Sequence, residues 1–152
     1  QSPGKSATLW RMNDIARELR LVHTYFLNSS GLDESSTQSC AYGSARDMAR
    51  LLEYALRSAS VFAGTARDGL LLTSVNGAHT SAFNTNAAQG SISGLIMGKT
   101  GYTDLAGGNL AVVFDVGIGH PVSAVVLGSG YEERFEDMQQ LVAAARAAVA
   151  GK

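Results

Sequence analysis

Apolar side chains recur at helical spacing in three stretches of the chain. In residues 8–21 and 44–58 they return to one side of a helix every three or four positions. Residues 132–150 combine one apolar face with many alanines, which have the highest helix propensity. Ser44 can cap the second helix by accepting from a first-turn N–H, and Asp47 is placed near the positive end of its dipole. The pattern therefore predicts three helices.

The segments between these helices have the composition of strands and turns. Residues 22–27 form a short β-prone stretch, and residues 28–39 are rich in Ser, Asn, Asp and Gly, which is typical of an irregular connection. Asn76-Gly77 separates two apolar runs, and Asn-Gly favours the positive φ values of a type I′ turn. We therefore expect a hairpin formed by residues 70–75 and 78–83.

Three more strands are predicted near residues 95–99, 109–116 and 122–128, with a glycine-rich turn after Lys99. Short connections between successive strands are typical of an antiparallel meander, and the terminal helix is expected to cover one face of it. Helices at both ends with strands between them indicate an α+β fold, an antiparallel sheet flanked by helices.

Composition excludes several classes of function. The 152 residues are 45% hydrophobic, which suffices for one domain with a sizeable core. The formal charge of -1 offers no basic surface for nucleic acid or anionic lipid. The longest apolar runs, residues 110–116 and 122–127, are much shorter than the roughly 20 residues of a membrane span. We expect neither a nucleic-acid partner nor a membrane span in this chain.

Cysteine and histidine give no catalytic or metal-binding pattern. Cys40 is the single cysteine, so the chain cannot form an internal disulfide. His23, His79 and His120 lack the spacing of metal ligands, and no G-x-S-x-G sequence supports a serine-histidine-aspartate arrangement. We expect each histidine to be an ordinary strand or turn residue, and we expect no metal and no organic cofactor.

Gly98-Lys99-Thr100-Gly101 contains the Gly-Lys-Thr that ends a phosphate-binding loop. The first glycine of that pattern would fall at Ser93, and the residues after Thr100 predict a turn and a strand where a phosphate loop requires a helix. A nucleotide site is therefore not predicted. The K-T-G motif of penicillin-binding proteins is the other interpretation. A lysine that closes a strand before a Thr-Gly turn remains the alternative on the tripeptide alone.

The residues around the tripeptide make the resemblance specific. Residues 98–107 resemble the K-T-G-x-T-x-x-A-G motif of low-molecular-weight penicillin-binding proteins, the D-alanyl-D-alanine carboxypeptidases. Residues 24–32 are similar to the family's T-x-F-x-N-P-x-G-L, and residues 44–48 to its S-A-x-D-M helix start. Asn84-Thr85-Asn86 resembles the family's N-x-N element, and Arg134 begins a stretch similar to its last helix. The similarity extends over nearly the whole chain from Met12 onward.

The resemblance implies a β-lactamase-like fold in which residues 1–152 form one domain, the C-terminal part of a serine-type carboxypeptidase. Lys99 would be catalytic, as a cation beside the nucleophile, and Thr100, Gly101 and Arg134 would bind the substrate. Arg134, otherwise expected on a solvated face, would bind the free carboxylate of the peptide together with Thr100. The implied substrate is a peptidoglycan stem peptide ending in D-Ala-D-Ala, and β-lactams would acylate the same serine. An extracytoplasmic location follows from such a substrate.

The family's nucleophile motif, S-x-x-K, and its S-x-N motif are not in their expected places. Ser2-Pro3-Gly4-Lys5 matches the first in letters only, because Pro and Gly disfavour one helical turn that carries both functional groups. Ser74-Val75-Asn76 matches the second but falls in the predicted hairpin turn. We therefore expect this chain to contribute the K-T-G strand without the nucleophile and to be inactive alone.

Two interpretations of such a chain stay open. It could be part of an active enzyme, completed by a missing N-terminal segment or by another copy of the chain. It could instead be a non-catalytic fragment or a peptidoglycan-binding remnant. In both cases the helices expected to cover the sheet are incomplete, so exposed apolar surface and self-association are predicted.

Overall fold

The computed structural model describes residues 3–151 and has an α+β architecture, as the sequence predicts. In chain order its helices and strands are α1 Pro3–Glu18, β1 Tyr25–Phe26, β2 Ala41–Tyr42, α2 Ala45–Ala55, α3 Ala59–Phe62, β3 Gly69–Thr73, β4 His79–Phe83, β5 Leu95–Thr103, β6 Gly107–Asp115, β7 Pro121–Ser129 and α4 Glu133–Ala150. Short 3₁₀ turns at Leu56–Ser58, Ala63–Ala66 and Gln89–Ser91 connect them.

Helix α1 begins and ends earlier than residues 8–21 predict. It starts at Pro3 and includes Gly4, although both residues were expected to disfavour a helical turn. Proline is tolerated there because its fixed φ is compatible with the first helical position. It ends before Arg20, which adopts a φ of 55°. The N–H of Leu21 then donates to the carbonyl of Ala16 at 2.9 Å, a bond that closes the last turn. The apolar pattern continues past this point because Leu21 is buried in the core although it lies outside the helix.

Helix α2 starts where its capping residue predicts. Ser44 is extended, and its Oγ accepts from the N–H of Asp47 at 3.1 Å. The helix ends at Ala55, earlier than residue 58, because the chain tightens there into the 3₁₀ turn Leu56–Ser58. The predicted N-cap of α2 is thus confirmed, and the predicted C-terminal limit of this helix is wrong.

The predicted hairpin forms, but the type I′ turn is wrong. Strands β3 and β4 pair antiparallel from Gly69 with Phe83 to Thr73 with His79. A type I′ turn needs positive φ at two residues, and only Gly77, with a φ of 83°, has it. The N–H of Ser74 donates to the carbonyl of Ala78 at 2.8 Å, so the loop is longer than two residues.

The antiparallel meander is confirmed as a three-stranded sheet in the order β5-β6-β7. The predicted end of strand β5 at Lys99 is wrong, because the strand continues through Thr103. The reason lies in its partner: residues 100–103 pair with the beginning of β6, up to Thr103 opposite Gly107. Turn formation is delayed until residues 104–106, where the N–H of Ala106 donates to Thr103 Oγ1 at 3.1 Å.

Asp115 organises the turn between β6 and β7. Its carboxylate accepts from the N–H groups of Gly117 at 3.1 Å, Gly119 at 2.9 Å and His120 at 2.9 Å. The hydrogen bonds from Gly117 and Gly119 hold the pKa of Asp115 below its ordinary value. The charged carboxylate therefore adds to the backbone hydrogen bond from the N–H of His120 to the carbonyl of Gly117, which is 2.9 Å long.

The sheet has one well-covered face. Helix α4 packs there, and the buried cluster comprises Ala88, Ile92, Leu110, Val112, Phe114, Ala124, Phe135, Met138 and Val142. Helix α2 lies against β6 and β7. Residues paired directly across an antiparallel ladder share a face, so Thr100, opposite Leu110, is on the α4 side. Lys99 and Gly101 alternate to the other side.

Candidate active-site strand

The K-T-G residues lie in the middle of β5, at an edge of the sheet. No strand pairs with the other side of β5 in the described part of the chain, residues 3–151. Two cavities open there, one of about 270 Å³ toward the β3–β4 hairpin and one of about 520 Å³ toward α2 and α3. Lys99 lines both. We call the first the polar cleft and the second the apolar groove.

Threonines from three segments meet in the polar cleft. The hydroxyl of Thr100 lies 2.7 Å from that of Thr85, and Thr65 Oγ1 accepts from the N–H of Gly98 at 3.0 Å. In a pair of hydroxyls one O–H donates to the other, and the second O–H remains available for a third group. Thr100 therefore keeps a donor or acceptor for a molecule in the cleft.

The two asparagines of the N-x-N element differ in position, since Asn84 lines the polar cleft and Asn86 is buried. Asn84 Nδ2 donates to the carbonyls of Thr65 at 2.9 Å and Arg67 at 2.8 Å. Asn86 is buried, and its Nδ2 would lie 3.3 Å from a Cβ at position 98. Gly98 thus leaves room for the buried amide.

Sequence reasoning missed Thr85 and Thr65 as members of the site. Thr85 could have been identified from the sequence, since it is the middle residue of the N-x-N element. Thr65 lies in a 3₁₀ turn and is brought to β5 by tertiary packing alone.

Lys99 is exposed and bonds to the backbone carbonyl of Thr100. Its ammonium makes no salt bridge among the described residues, in which the ion pairs lie on α1. A cation without a neighbouring carboxylate gives the strand a positive potential where the two cavities meet. Such a position suits the binding of an anionic group.

Gly101 is exposed, and its lack of a side chain is not required by packing. A Cβ at this position would meet only Asn109 Cβ, at an ordinary 3.8 Å. Its carbonyl accepts from Arg134 Nη1 at 3.0 Å. The glycine therefore leaves the strand surface open while its backbone is held from the other side.

Arg134, which comes from the first turn of α4, is buried at 4% exposure and does not lie on a solvated face. Its guanidinium carbon lies 4.5 Å from the ring centre of Tyr131 and 4.7 Å from that of Phe135. Its Nε has no hydrogen-bond partner, and no carboxylate pairs with it among the described residues. The aromatic rings and one carbonyl are its only described stabilising contacts.

The apolar groove lies on the side of the sheet opposite α4. It is lined by side chains from α1, α2, α3 and β5, among them Ile15, Leu51, Leu52, Phe62 and Met97. A cavity of about 520 Å³ next to Lys99 shows that this face of the sheet is incompletely covered.

Two of the recognised motifs meet through Asp47, at some distance along the chain from the K-T-G residues. Asp47 Oδ2 accepts from the N–H of His23 at 2.8 Å and from the hydroxyl of Thr24 at 2.9 Å. Burial alone would raise the pKa of Asp47, but these hydrogen bonds and the positive charges of His23 and Arg50 outweigh it and lower the pKa. The motif aspartate is structural, since it ties α2 to the segment before β1.

The remaining sequence candidates are not gathered into a site. The ring of His79 bonds to the hydroxyl of Thr73, its cross-strand partner, and the ring of His120 bonds to the carbonyl of Ile118 in the turn before β7. No group of three or more potential metal ligands occurs within the described residues. Ser74 and Asn76 bond to each other in the hairpin turn. Ser2 of the S-x-x-K letters lies outside the described residues.

The sequence of most of the chain matches one protein family. The family model of D-alanyl-D-alanine carboxypeptidase, peptidase S11, matches residues 3–130. The chain belongs to this family. The carboxypeptidase family resemblance and the β-lactamase-like fold expected from the sequence are thereby confirmed. No curated protein sequence matches the chain.

Solved structures share the fold. Penicillin-binding protein D2 of Listeria monocytogenes in its cefotaxime-bound form is 32% identical, with a TM-score of 0.73 over 88% of this chain and 52% of that one. The Streptomyces K15 DD-transpeptidase is 22% identical, with a TM-score of 0.71 over 92% and 53%. A D-alanyl-D-alanine carboxypeptidase of Mycobacterium tuberculosis is 24% identical, with a TM-score of 0.69 over 81% and 45%.

The chain therefore spans about half the length of the solved structures that it matches. Within the described residues, no helix combines the length and the apolarity needed to cross a bilayer.

Proposed function

We propose that this chain supplies the substrate-binding strand of a serine-type D-Ala-D-Ala carboxypeptidase that trims peptidoglycan stem peptides outside the cytoplasm. The observation that carries the proposal is the placement of Lys99, Thr100 and Gly101 on a free strand edge between two cavities. An extended peptide can lie along such an edge, and Gly101 leaves it unobstructed. Membership in the carboxypeptidase family supports this substrate class.

Thr100 and Arg134 bind the terminal carboxylate of the peptide in this proposal. The guanidinium of Arg134 is buried and faces no carboxylate in the described residues, so its charge is uncompensated. Buried charges are costly unless they are paired. A substrate carboxylate at the Gly101 end of β5 would compensate that charge, and the free hydroxyl function of Thr100 would hydrogen-bond the same group.

Lys99 provides positive potential beside the attacking serine. That serine attacks the D-Ala-D-Ala carbonyl, the peptide bond breaks with release of D-Ala, and water hydrolyses the acyl-enzyme. The nucleophile would come from outside residues 1–152. The apolar groove beside Lys99 supports this assignment, since it has room for a further element next to the cation.

A fluorescent penicillin tests the proposal, because penicillins acylate the serine of these enzymes. We expect no covalent labelling of the 152-residue chain, and labelling once the gene-encoded sequence upstream of Gln1 is added. Labelling of the isolated chain would show that it carries its own nucleophile. Absence of labelling in the extended protein would refute the enzymatic proposal.

Arg134 is tested in the extended protein with a D-Ala-D-Ala peptide. We expect Arg134→Ala to lower kcat/KM strongly and Arg134→Lys to restore it only in part, because an ammonium cannot form two parallel hydrogen bonds. If the Arg134→Ala variant folds normally and keeps the kcat/KM of the parent, Arg134 does not bind the substrate.

A non-catalytic, wall-binding role is the second candidate. The observation that favours it is an exposed aromatic surface far along the chain from the K-T-G residues, formed by Trp10, Tyr25 and Tyr42.

A further inference from the structure

Three aromatic side chains of the first 42 residues are strongly exposed. Trp10 on α1 is 70% exposed, Tyr25 on β1 is 56% exposed and Tyr42 on β2 is 59% exposed. Tyr25 and Tyr42 are directly opposite each other in the β1–β2 pair, so their rings leave the same face of the ribbon. Trp10 and Tyr25 line one cavity of about 470 Å³. We call these three residues the aromatic surface.

The backbone beneath the aromatic surface is held in place by side-chain hydrogen bonds. Asn13 of α1 accepts from the N–H of Phe26 at 2.9 Å and donates to the carbonyl of Phe26 at 2.9 Å. Thr24, the neighbour of Tyr25, is held by Asp47. Helix α1 and strand β1 are therefore locked together, and the positions from which the rings extend are set before a ligand binds.

The charges next to the aromatic surface are paired. Arg11 forms a 3.0 Å ion pair with Glu18, and Arg17 pairs with Asp14. Phosphate and anionic lipid are recognised by clusters of unpaired cations, so neither fits this surface. The indole N–H of Trp10 and the hydroxyls of the two tyrosines have no hydrogen-bond partner among the described residues, and they remain available at the ring edges.

We propose that the aromatic surface binds the glycan strand of peptidoglycan. A pyranose ring has an apolar face of C–H groups, which can stack on an aromatic ring, and a rim of hydroxyl and amide groups, which can bond to indole N–H and phenol O–H. The rings of the glycan backbone repeat, so successive sugars can contact Trp10 and Tyr25, which line one cavity, and Tyr42, which is paired with Tyr25. The cavity of about 470 Å³ lies within the roughly 300–1,000 Å³ of small-ligand sites.

This proposal rests on the cell-wall setting of the proposed function but needs neither the nucleophile nor the K-T-G strand. Its ligand is the sugar polymer, whereas the ligand of β5 is the stem peptide. A second copy of the chain is less well matched, because aliphatic side chains dominate the apolar groove and the β3–β4 hairpin, whereas the aromatic surface offers flat rings with unused polar edges.

Intrinsic fluorescence reports directly on this site, because Trp10 is the single tryptophan of the chain. The probe is a soluble tetramer of β-1,4-linked N-acetylglucosamine, which carries no peptide. We expect saturable changes in Trp10 emission on titration and an affinity about tenfold lower in Tyr25→Ala, the effect of losing one aromatic contact. Leu71→Ala is the matched control, since Leu71 is 69% exposed on the hairpin, and we expect it to bind like the parent.

Variants at Trp10 itself are measured by co-sedimentation with glycan strands stripped of stem peptides. We expect Trp10→Phe, which keeps a ring, to retain part of the binding, and Trp10→Leu, which keeps only apolar bulk, to lose it. Circular dichroism establishes that each variant is folded, and exposed positions such as Trp10 and Tyr25 tolerate substitution.

Three results would overturn the proposal. The tetramer could leave Trp10 emission unchanged, or Trp10→Leu could bind glycan as well as the parent, which would indicate unspecific apolar contact. A change in emission with protein concentration and without sugar would show that a second copy covers the surface. Penicillin labelling of the extended protein is independent of all three results, so failure of the glycan site and failure of the carboxypeptidase proposal are distinguishable.

Discussion

At the scale of single residues, two glycines of the sheet have opposite reasons for lacking a side chain. A Cβ at Gly101 would make only an ordinary 3.8 Å contact, whereas a Cβ at Gly108 would overlap the carbonyl oxygen of Gly130. Gly108 is thus required by the fold. Packing does not require a glycine at position 101, so the lack of a side chain there can serve substrate binding.

Gly101→Ala should therefore separate folding from function. We expect the melting temperature of the chain to stay close to that of the parent, while acylation of the extended protein by fluorescent penicillin slows, because the methyl group projects from the strand on which the substrate lies. Gly108→Ala is the comparison, and we expect it to fold poorly because backbone must move to admit the methyl group. Equal acylation rates for Gly101→Ala and the parent would mean that the glycine has no role in substrate approach.

The buried aspartate Asp47 predicts a pH dependence of stability. Burial raises its pKa, but hydrogen bonds from His23 and Thr24 reverse this, and the folded-state pKa lies below the ordinary value. A lowered pKa stabilises the fold above about pH 3.9, and this contribution is lost as the pH falls through the folded-state value. We expect Asp47→Asn to lower the melting temperature at neutral pH and to differ less from the parent at acid pH. The exposed Asp104→Asn is the control, and a pH-independent effect of Asp47→Asn would contradict the assignment.

At the scale of elements, the start of α2 can be tested with two serines that differ in one contact. Ser44 Oγ accepts from the N–H of Asp47, whereas Ser58, which precedes α3, makes no capping bond with its side chain. We expect Ser44→Ala to reduce the free energy of unfolding by about 1 kcal/mol and Ser58→Ala to change it little. Urea denaturation measures both, and equal effects would mean that the cap contributes nothing specific.

Strand β5 shows why sequence periodicity did not locate all element limits. The pattern of residues 95–99 is that of a strand, but Thr100 to Thr103 contain a glycine and polar side chains that favour a turn. They remain extended because β6 pairs with them and because Arg134 holds the carbonyl of Gly101. The prediction of a type I′ turn was wrong for a related reason. An asparagine can adopt a positive φ but is not forced to, and Asn76 does not adopt one.

At the scale of the whole molecule, apolar side chains remain uncovered on two surfaces. One is the apolar groove beside Lys99, and the other is the β3–β4 hairpin, where Leu71 and Phe83 are largely exposed. The hairpin strands have no charged residue or proline to oppose edge-to-edge pairing. Both surfaces favour association with other polypeptide.

We therefore expect the isolated chain to self-associate or to be poorly stable. Light scattering should give a mass above the 15.9 kDa of one chain, and a dye that binds apolar surface should fluoresce. Leu71→Lys should reduce association through the hairpin, and extension by the upstream sequence should reduce dye binding in the groove. A monomer with a sharp thermal transition would contradict the expectation.

Apolar spacing, helix caps and motif letters predicted the family, the α+β class and the order of the main elements, because these depend on local patterns. That residues 1–152 form one domain, that Lys99 is catalytic and that Thr100, Gly101 and Arg134 bind substrate remain predictions. Tertiary packing alone buries Arg134 against Gly101, brings Thr85 and Thr65 to the strand, and places Trp10 and Tyr25 in one cavity. These contacts join residues far apart in sequence, and no local pattern specifies which distant segments will pack together.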